Sequence, residues 1–217
     1  MQIIWHGQSC FEMLSSQGKN NHVAIVIDPF DEDTGLRLPK LEADILLITH
    51  QHHDHNNKKG VQGQPLLIEG PGEYETKGVF VQGIPSFHDA LEGKEKGQNT
   101  IYTINVEDLK VCHLGDLGQK ELTPEQVEQI GEVDILLIPV GGNFTISAKE
   151  AVKIMSQIEP SIIIPMHYQI PKLKIKLEGA DKFLRAMGMK SVSPLDKLSI
   201  KKKDILSEEA KIVVLKP

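Results

Sequence analysis

Between Thr49 and His55 the chain reads Thr-His-Gln-His-His-Asp-His, so four histidines and one aspartate fall within six residues. Imidazole nitrogens and carboxylate oxygens are the donors that zinc, manganese and iron take from proteins. Side chains alternate along an extended segment, so His50 and His52 would face one way and could share an ion. Asp54 and His55 follow where the chain must turn, and can face a second ion. The bland alternative is a solvated polar loop or an adventitious metal-binding tract. Further donors weigh against it, because His88, Asp116 and His167 each stand where a strand is expected to end.

The elements that must carry these donors are mostly strands. Strands are expected at 2–5 and 10–14, around the turn His6-Gly7-Gln8-Ser9, and a turn at Asn20-Asn21 should precede the β-branched run 23–27. Asp28-Pro29 ends that run, because proline cannot continue a ladder. The strand 42–48 (Glu-Ala-Asp-Ile-Leu-Leu-Ile) delivers the histidine cluster and has a near copy at 132–138 (Glu-Val-Asp-Ile-Leu-Leu-Ile). The copy suggests two related halves facing each other, with chance as the alternative. Further strands are read at 66–69, 73–75, 78–83, 99–105, 110–114 and 162–164, with closing strands at 196–200 and 211–216. Helices are expected from Thr123 with Pro124 at its first position, over 147–158 with a Ser147/Glu150 capping box, and over 179–187. Strands with interspersed helices and no linker point to one α/β domain over 1–217, built on two sheets.

Composition narrows the classes. The chain has 217 residues, 40% hydrophobic, with a formal net charge of −6. That balance argues against a dedicated nucleic-acid binder, whose footprint is usually basic. Lys58-Lys59 and Lys201-Lys202-Lys203 read as solvated patches. Met1 to Phe11 has no basic leader and no long apolar segment, and no apolar run could span a bilayer. A cytoplasmic protein without a membrane partner is therefore expected. Cys10 and Cys112 should be free and buried thiols.

The pattern His50-Gln51-His52-His53-Asp54-His55 resembles the H-x-H-x-D-H signature of the metallo-β-lactamase superfamily. His88, Gly115-Asp116 and Met166-His167 match the later members in order, and the likeness runs from Trp5-His6-Gly7-Gln8 to the last strand. Its compact form looks closest to the zinc-dependent hydrolase branch that includes ascorbate-6-phosphate lactonase-like proteins. The resemblance implies a four-layer αββα sandwich, two mixed sheets flanked by helices. It implies that His50, His52 and His88 hold one ion, that Asp54, His55 and His167 hold another, and that Asp116 bridges them with one oxygen to each. It also implies two divalent ions, zinc before manganese or iron, that activate a bridging hydroxide. Asp54 would orient that hydroxide, and His167 or Tyr168 would assist the substrate or leaving group.

Around this set, His53 should point away from the ions, and His113 should be core or support. His6 and His22 read as turn or surface, and Asp28 and Thr49 as residues that orient ligands. Gly141-Gly142-Asn143 and Thr145 are either a plain turn before a helix or a loop offering backbone N–H groups to an anion. The leading function is hydrolysis of a small ester, lactone or phosphodiester. The alternatives are a nuclease or phosphodiesterase acting on nucleic acid, a di-iron oxidoreductase, and a metal-binding protein without activity. The expected partner is a small-molecule substrate, and exposed edges permit a homo-oligomer.

Overall fold

The computed structural model describes residues 1–16, 22–205 and 210–217. The turn expected at Asn20-Asn21 lies outside the described residues. The first half of the chain builds one sheet from β1 (Gln2–Gly7), β2 (Cys10–Ser16), β3 (His22–Ile27), β5 (Ile45–Leu47) and β7 (Leu66–Ile68). A separate ribbon pairs β4 (Leu41–Glu42) with β6 (Val61–Gln62). The second half builds the other sheet from β8 (Gly72–Thr76), β9 (Val79–Phe87), β10 (Gln98–Val106), β11 (Leu109–His113), β12 (Ile135–Pro139) and β13 (Ile162–Met166). The helices are α1 (Pro124–Ile130), α2 (Ala148–Ile158) and α3 (Ala180–Ala186). The closing strands β14 (Leu198–Ser199) and β15 (Lys211–Ile212) join the first and second sheets respectively. The six-stranded sheet runs β14-β1-β2-β3-β5-β7 and the seven-stranded sheet β15-β13-β12-β11-β10-β9-β8. Both mix parallel and antiparallel pairs, as expected.

Alternation along the strands explains the layering. On β3, Val23, Ile25 and Ile27 enter the main core while Val26 faces outward, and on β5 Ile45 and Leu47 enter it while Leu46 faces outward. The inward residues meet those of the second sheet, which include Val81, Ile104 and Val111. β12 is buried along its whole length, with one face on the opposite sheet and the other under helices. Its unbroken apolar run fits a strand covered on both sides. The helices gather on the seven-stranded sheet: α1 packs on β9, α2 on β12, and α2 also on α1 and α3. Ser147 caps α2 through the N–H of Glu150, whose carboxylate returns to the Ser147 N–H, the expected capping box.

The outer face of the six-stranded sheet has a different cover. Phe30, Leu36, Leu38, Leu41 and Val61 close over Cys10, Val26 and Leu46, so loop, a short turn of helix and the β4–β6 ribbon serve there as the fourth layer. The expected strand 42–48 is accordingly shorter. Leu41–Glu42 leaves to pair with β6, and β5 begins only at Ile45.

The twin segments occupy matching places in the two sheets. Asp44 donates its N–H to the Ala24 carbonyl and takes the Ala24 N–H on its carboxylate (2.8 and 2.9 Å). Asp134 does the same to Lys110 (2.9 and 2.8 Å). Each is also paired with a lysine from elsewhere, Lys77 and Lys202. A carboxylate that locks the start of a central strand to its neighbour explains why the two stretches read alike.

Replacing Asp134 by alanine leaves the Lys110 N–H without that acceptor. A loss of roughly 1–2 kcal/mol in denaturant unfolding is expected, mostly from this hydrogen bond, since the lysine pair is exposed. Burial pushes the Cys112 thiol up to about 12 and raises Cys10 well above its ordinary value. Both thiols should therefore resist Ellman's reagent at neutral pH until the protein is unfolded. Rapid labelling of the native protein would show that one of these strands opens.

Candidate metal centre

The donors come from strand ends along one rim. β5 stops at Leu47, and the N–H of Ile48 still bonds Ile68, after which the chain bends. The His52 carbonyl then accepts the N–H groups of His55 and Asn56, so the cluster sits on a bend and a turn, not on the expected extended strand. His88 directly follows β9, Asp116 follows β11 after Leu114-Gly115, and His167 directly follows β13. Asp28 follows β3. Asp28 and His167 both have positive φ, at 48° and 50°, a conformation side chains adopt at some cost. Close approach is also built in at Gly118, where a Cβ would lie 2.3 Å from the backbone carbonyl of His88.

The donors form three overlapping groups. His50, His52 and His88 bring one donor atom each within 4.8 Å of one another, and so do Asp54, His55 and His167. A third such group is His50, His55 and Asp116, which joins the first two. Oδ2 of Asp116 lies 3.2 Å from Nε2 of His55, 3.2 Å from Nε2 of His167 and 3.5 Å from Nε2 of His88. Oδ1 of Asp116 is engaged instead by the Ser9 hydroxyl at 3.1 Å. Oδ2 is thus the Asp116 oxygen that stands beside imidazoles of both His/Asp groups.

Around these donors lies a layer of orienting bonds. Asp28 is fully buried; its carboxylate accepts the Thr49 N–H (2.8 Å) and hydroxyl (2.6 Å) and lies 3.0 Å from Nδ1 of His55. The Thr49 hydroxyl also lies 3.0 Å from Nδ1 of His50. One carboxylate therefore steers two imidazoles, the role expected of Asp28 and Thr49. His113 is buried beside the Ser9 carbonyl (2.9 Å) and accepts the Gly115 N–H (3.0 Å), as befits a supporting residue. His6 is half-buried in β1 near Glu12, and His22 is exposed at the start of β3.

Three contributors have no warning in the sequence. Gln8, in a left-handed conformation, donates its side-chain N–H to Asp54 (3.2 Å) and its carbonyl accepts the His167 N–H (3.1 Å). Ser9 holds Asp116, and Asn99 accepts the Asp116 N–H at 3.0 Å. In the sequence Gln8 and Ser9 read as part of an ordinary turn.

Other expectations resolve differently. His53 joins none of the three groups and is exposed, but it lines the cavity above the centre instead of pointing clear of it. Tyr168 is turned into the core: its ring stands 4.9 Å from that of Trp5 and its hydroxyl 3.5 Å from the Leu215 carbonyl. It therefore does not serve a leaving group. In the 141–145 loop the N–H groups of Phe144 and Thr145 bond back to Gly142, and the start of α2 is capped by Ser147 and Glu150, which favours the plain turn. Cys10 and Cys112 are free and buried, as expected. No helix among the described residues is long and apolar enough to cross a membrane.

The donor chemistry fits metal ions. Burial holds the pKa values of His50, His52 and His88 below the ordinary imidazole range, helped by the charge of His55, so these rings are neutral and able to ligate. Burial opposes charge on His55 too, but Asp116, Asp28 and Asp54 outweigh it and raise its pKa well above that range. Burial likewise opposes ionisation of Asp116, but His167 and His55 hold it far below the carboxylate range. Nε2 of His50 is buried without a hydrogen-bond partner, an arrangement that is costly unless something else takes the lone pair. The centre opens into a cavity of about 380 Å³, with His52, Asp54, His88, Asp116 and His167 at its floor.

The chain is similar to known proteins along most of its length. The family model described as a beta-lactamase superfamily domain matches residues 2–167. A UPF0173 protein of Pyrococcus abyssi is 33% identical, over 77% of this chain and 83% of its own length. A UPF0173 metal-dependent hydrolase of Thermoplasma volcanium is 32% identical with the same coverage, 77% and 83%. A crystal structure from Thermotoga maritima, assigned to the metallo-β-lactamase superfamily as a zinc-dependent hydrolase, shares 39% identity and superposes with a TM-score of 0.80, covering 99% of this chain and 97% of that one.

Replacing Asp28 by alanine removes the acceptor for His55 and Thr49. Zinc retention in chelator competition is expected to weaken about 10- to 100-fold. Thr49→Val, which drops only the hydroxyl, should weaken it less, through His50 alone. Unchanged retention in both variants would mean that the rings are oriented by other contacts.

Proposed function

The chain belongs to the metallo-β-lactamase superfamily, and on that premise we propose that it is a metal-dependent hydrolase with a dinuclear centre. His50, His52 and His88 would hold one ion, Asp54, His55 and His167 the other, and Asp116 both. The observation that carries this reading is the single oxygen of Asp116 standing between imidazoles of the two groups. All donors are nitrogen or oxygen, with no thiolate, and the assignment of the Thermotoga maritima structure as a zinc-dependent hydrolase supports zinc before manganese or iron. Bound there, the ions would lower the pKa of a water between them toward neutrality and polarise the substrate oxygen they face.

The chain's own groups prepare that chemistry. Asp28 and Thr49 hold Nδ1 of His55 and of His50, which leaves Nε2 of each ring for an ion. Burial works against ionisation of Asp54, but the charge of His55 beside it prevails, and its carboxylate stays ionised. It can therefore take a hydrogen bond from an incoming water, while Gln8 fixes its orientation. His167 is anchored by its backbone N–H to the Gln8 carbonyl and lines the cavity. The size of the cavity fits a small organic molecule, and the net charge of −6 disfavours a polyanion such as nucleic acid. An ester, a lactone or a small phosphodiester is the substrate class that this supports.

Protein reconstituted separately with zinc, manganese and iron should hydrolyse at least one of a lactone, a carboxylic ester and bis-p-nitrophenyl phosphate. Asp116→Ala should bring both metal content and turnover to the level of the chelated protein. Full activity in that variant would sink the dinuclear reading. Preferred cleavage of single-stranded RNA would move it to a nuclease, and two irons with oxygen-dependent colour to an oxidoreductase.

A further inference from the structure

Above the centre, the wall of the cavity is made by two loops that meet through one lysine. The segment that follows His88 is wound around Asp89, whose carboxylate accepts four backbone N–H groups: those of Leu91 (2.7 Å), Gly93 (2.9 Å), Glu95 (3.0 Å) and Lys96 (2.8 Å). This winding fixes where Lys96 leaves the backbone. Its Nζ donates to the carbonyl of Phe144 at 2.8 Å, reaches that of Asn143 at 3.4 Å, and lies 5.4 Å from the centre of the Phe144 ring.

An ammonium has three N–H donors, and carbonyls occupy two of them here. The third has no partner among the described residues, and Lys96 takes part in none of the ion pairs found there. The neighbouring rim cation is different, since Lys58 is neutralised by Glu69 at 2.6 Å. Lys96 also stands where two cavities adjoin. It lines the 380 Å³ space over the centre, where Phe144 and Ile175 give an apolar wall. It also lines a second space of about 350 Å³ on the His50–His52 side, whose lining includes Gln51, Gln98 and Thr100. An uncompensated, half-buried cation pinned in one geometry beside an apolar surface is suited to a molecule that is anionic at one point and apolar next to it.

We propose that Lys96 determines substrate specificity by binding an anionic group, a carboxylate or a phosphate, on a small substrate whose apolar part rests against Phe144 and Ile175. This rests on the hydrolase reading for the bond that is broken, but the anion contact itself needs no hydrolysis. Phe144 is 46% exposed, so covering it is a further gain when such a molecule arrives.

The test is calorimetric titration of the zinc-loaded protein with three matched probes: phenylacetate, benzylphosphonate and neutral phenylacetamide. Lys96→Met should weaken at least one of the two anions about 10- to 100-fold, as expected for a charge-assisted hydrogen bond in a partly dry site, and leave the amide within about twofold. Lys96→Arg should keep most of the anion affinity. The anion with the larger loss tells whether the natural group is a carboxylate or a phosphate. Unchanged anion binding in Lys96→Met, or an equal loss for the amide, would overturn the proposal and leave Lys96 as a pin between two loops. Should the amide bind too weakly to read, Lys96→Arg decides, because affinity lost in both variants also overturns it. Lys96-dependent anion binding without hydrolysis of any ester, lactone or phosphodiester would instead sink the hydrolase reading alone.

Discussion

Three carboxylates, Asp28, Asp54 and Asp116, are buried together with no lysine or arginine paired to them among the described residues. A buried charge without compensation is too costly to keep, so positive charge has to be supplied at this spot. Imidazoles supply part of it: His55 stands between all three carboxylates. Burial and the charge on His55 keep His50, His52 and His88 neutral, so they cannot supply the rest. Metal ions would meet that demand, and the neutral rings would serve them as ligands. The positive φ of Asp28, the buried turn at Gln8 and the close approach at Gly118 are local costs accepted to hold this arrangement.

How much of this could be read from the sequence follows from the kind of signal each residue leaves. His50, His52, Asp54, His55, His88, Asp116 and His167 were legible because histidine and aspartate at strand ends are unusual and their spacing matches a known pattern. Asp28 was legible for the same reason, as a carboxylate before a proline at the tip of an apolar run. Gln8, Ser9 and Asn99 were not, since their work is done by single hydrogen bonds across 46, 107 and 17 residues of chain. No local pattern records such a partner. Tyr168 misled because adjacency to His167 along the chain says nothing about side: after a left-handed residue its ring turns toward Trp5.

The strands were read well where tertiary burial and local pattern agree, as in the unbroken runs of β3 and β12. The stretch 42–48 forms a strand only from Ile45, because Glu42 pairs with the ribbon strand β6. The repeat was the more informative reading. Asp44 and Asp134 make the same pair of bonds to the neighbouring strand, and both central strands run parallel to the strands on either side of them. Two copies of one small device thus start one strand in each of the two sheets that enclose the core.

The cover of the six-stranded sheet is continuous with the turn that carries the donors. The Pro29 carbonyl accepts the N–H of Asn57 at 2.9 Å and the Phe30 carbonyl its side-chain amide at 2.9 Å, two residues after His55. Lifting that cover would pull the donors apart, and seating ions on the donors would hold the cover down. An ion bound at the donors would therefore be thermodynamically linked to local opening of residues 29–62, as a staple on a layer that has no α-helix of its own. Metal bound there would then also lengthen the time the outer layer survives proteolysis.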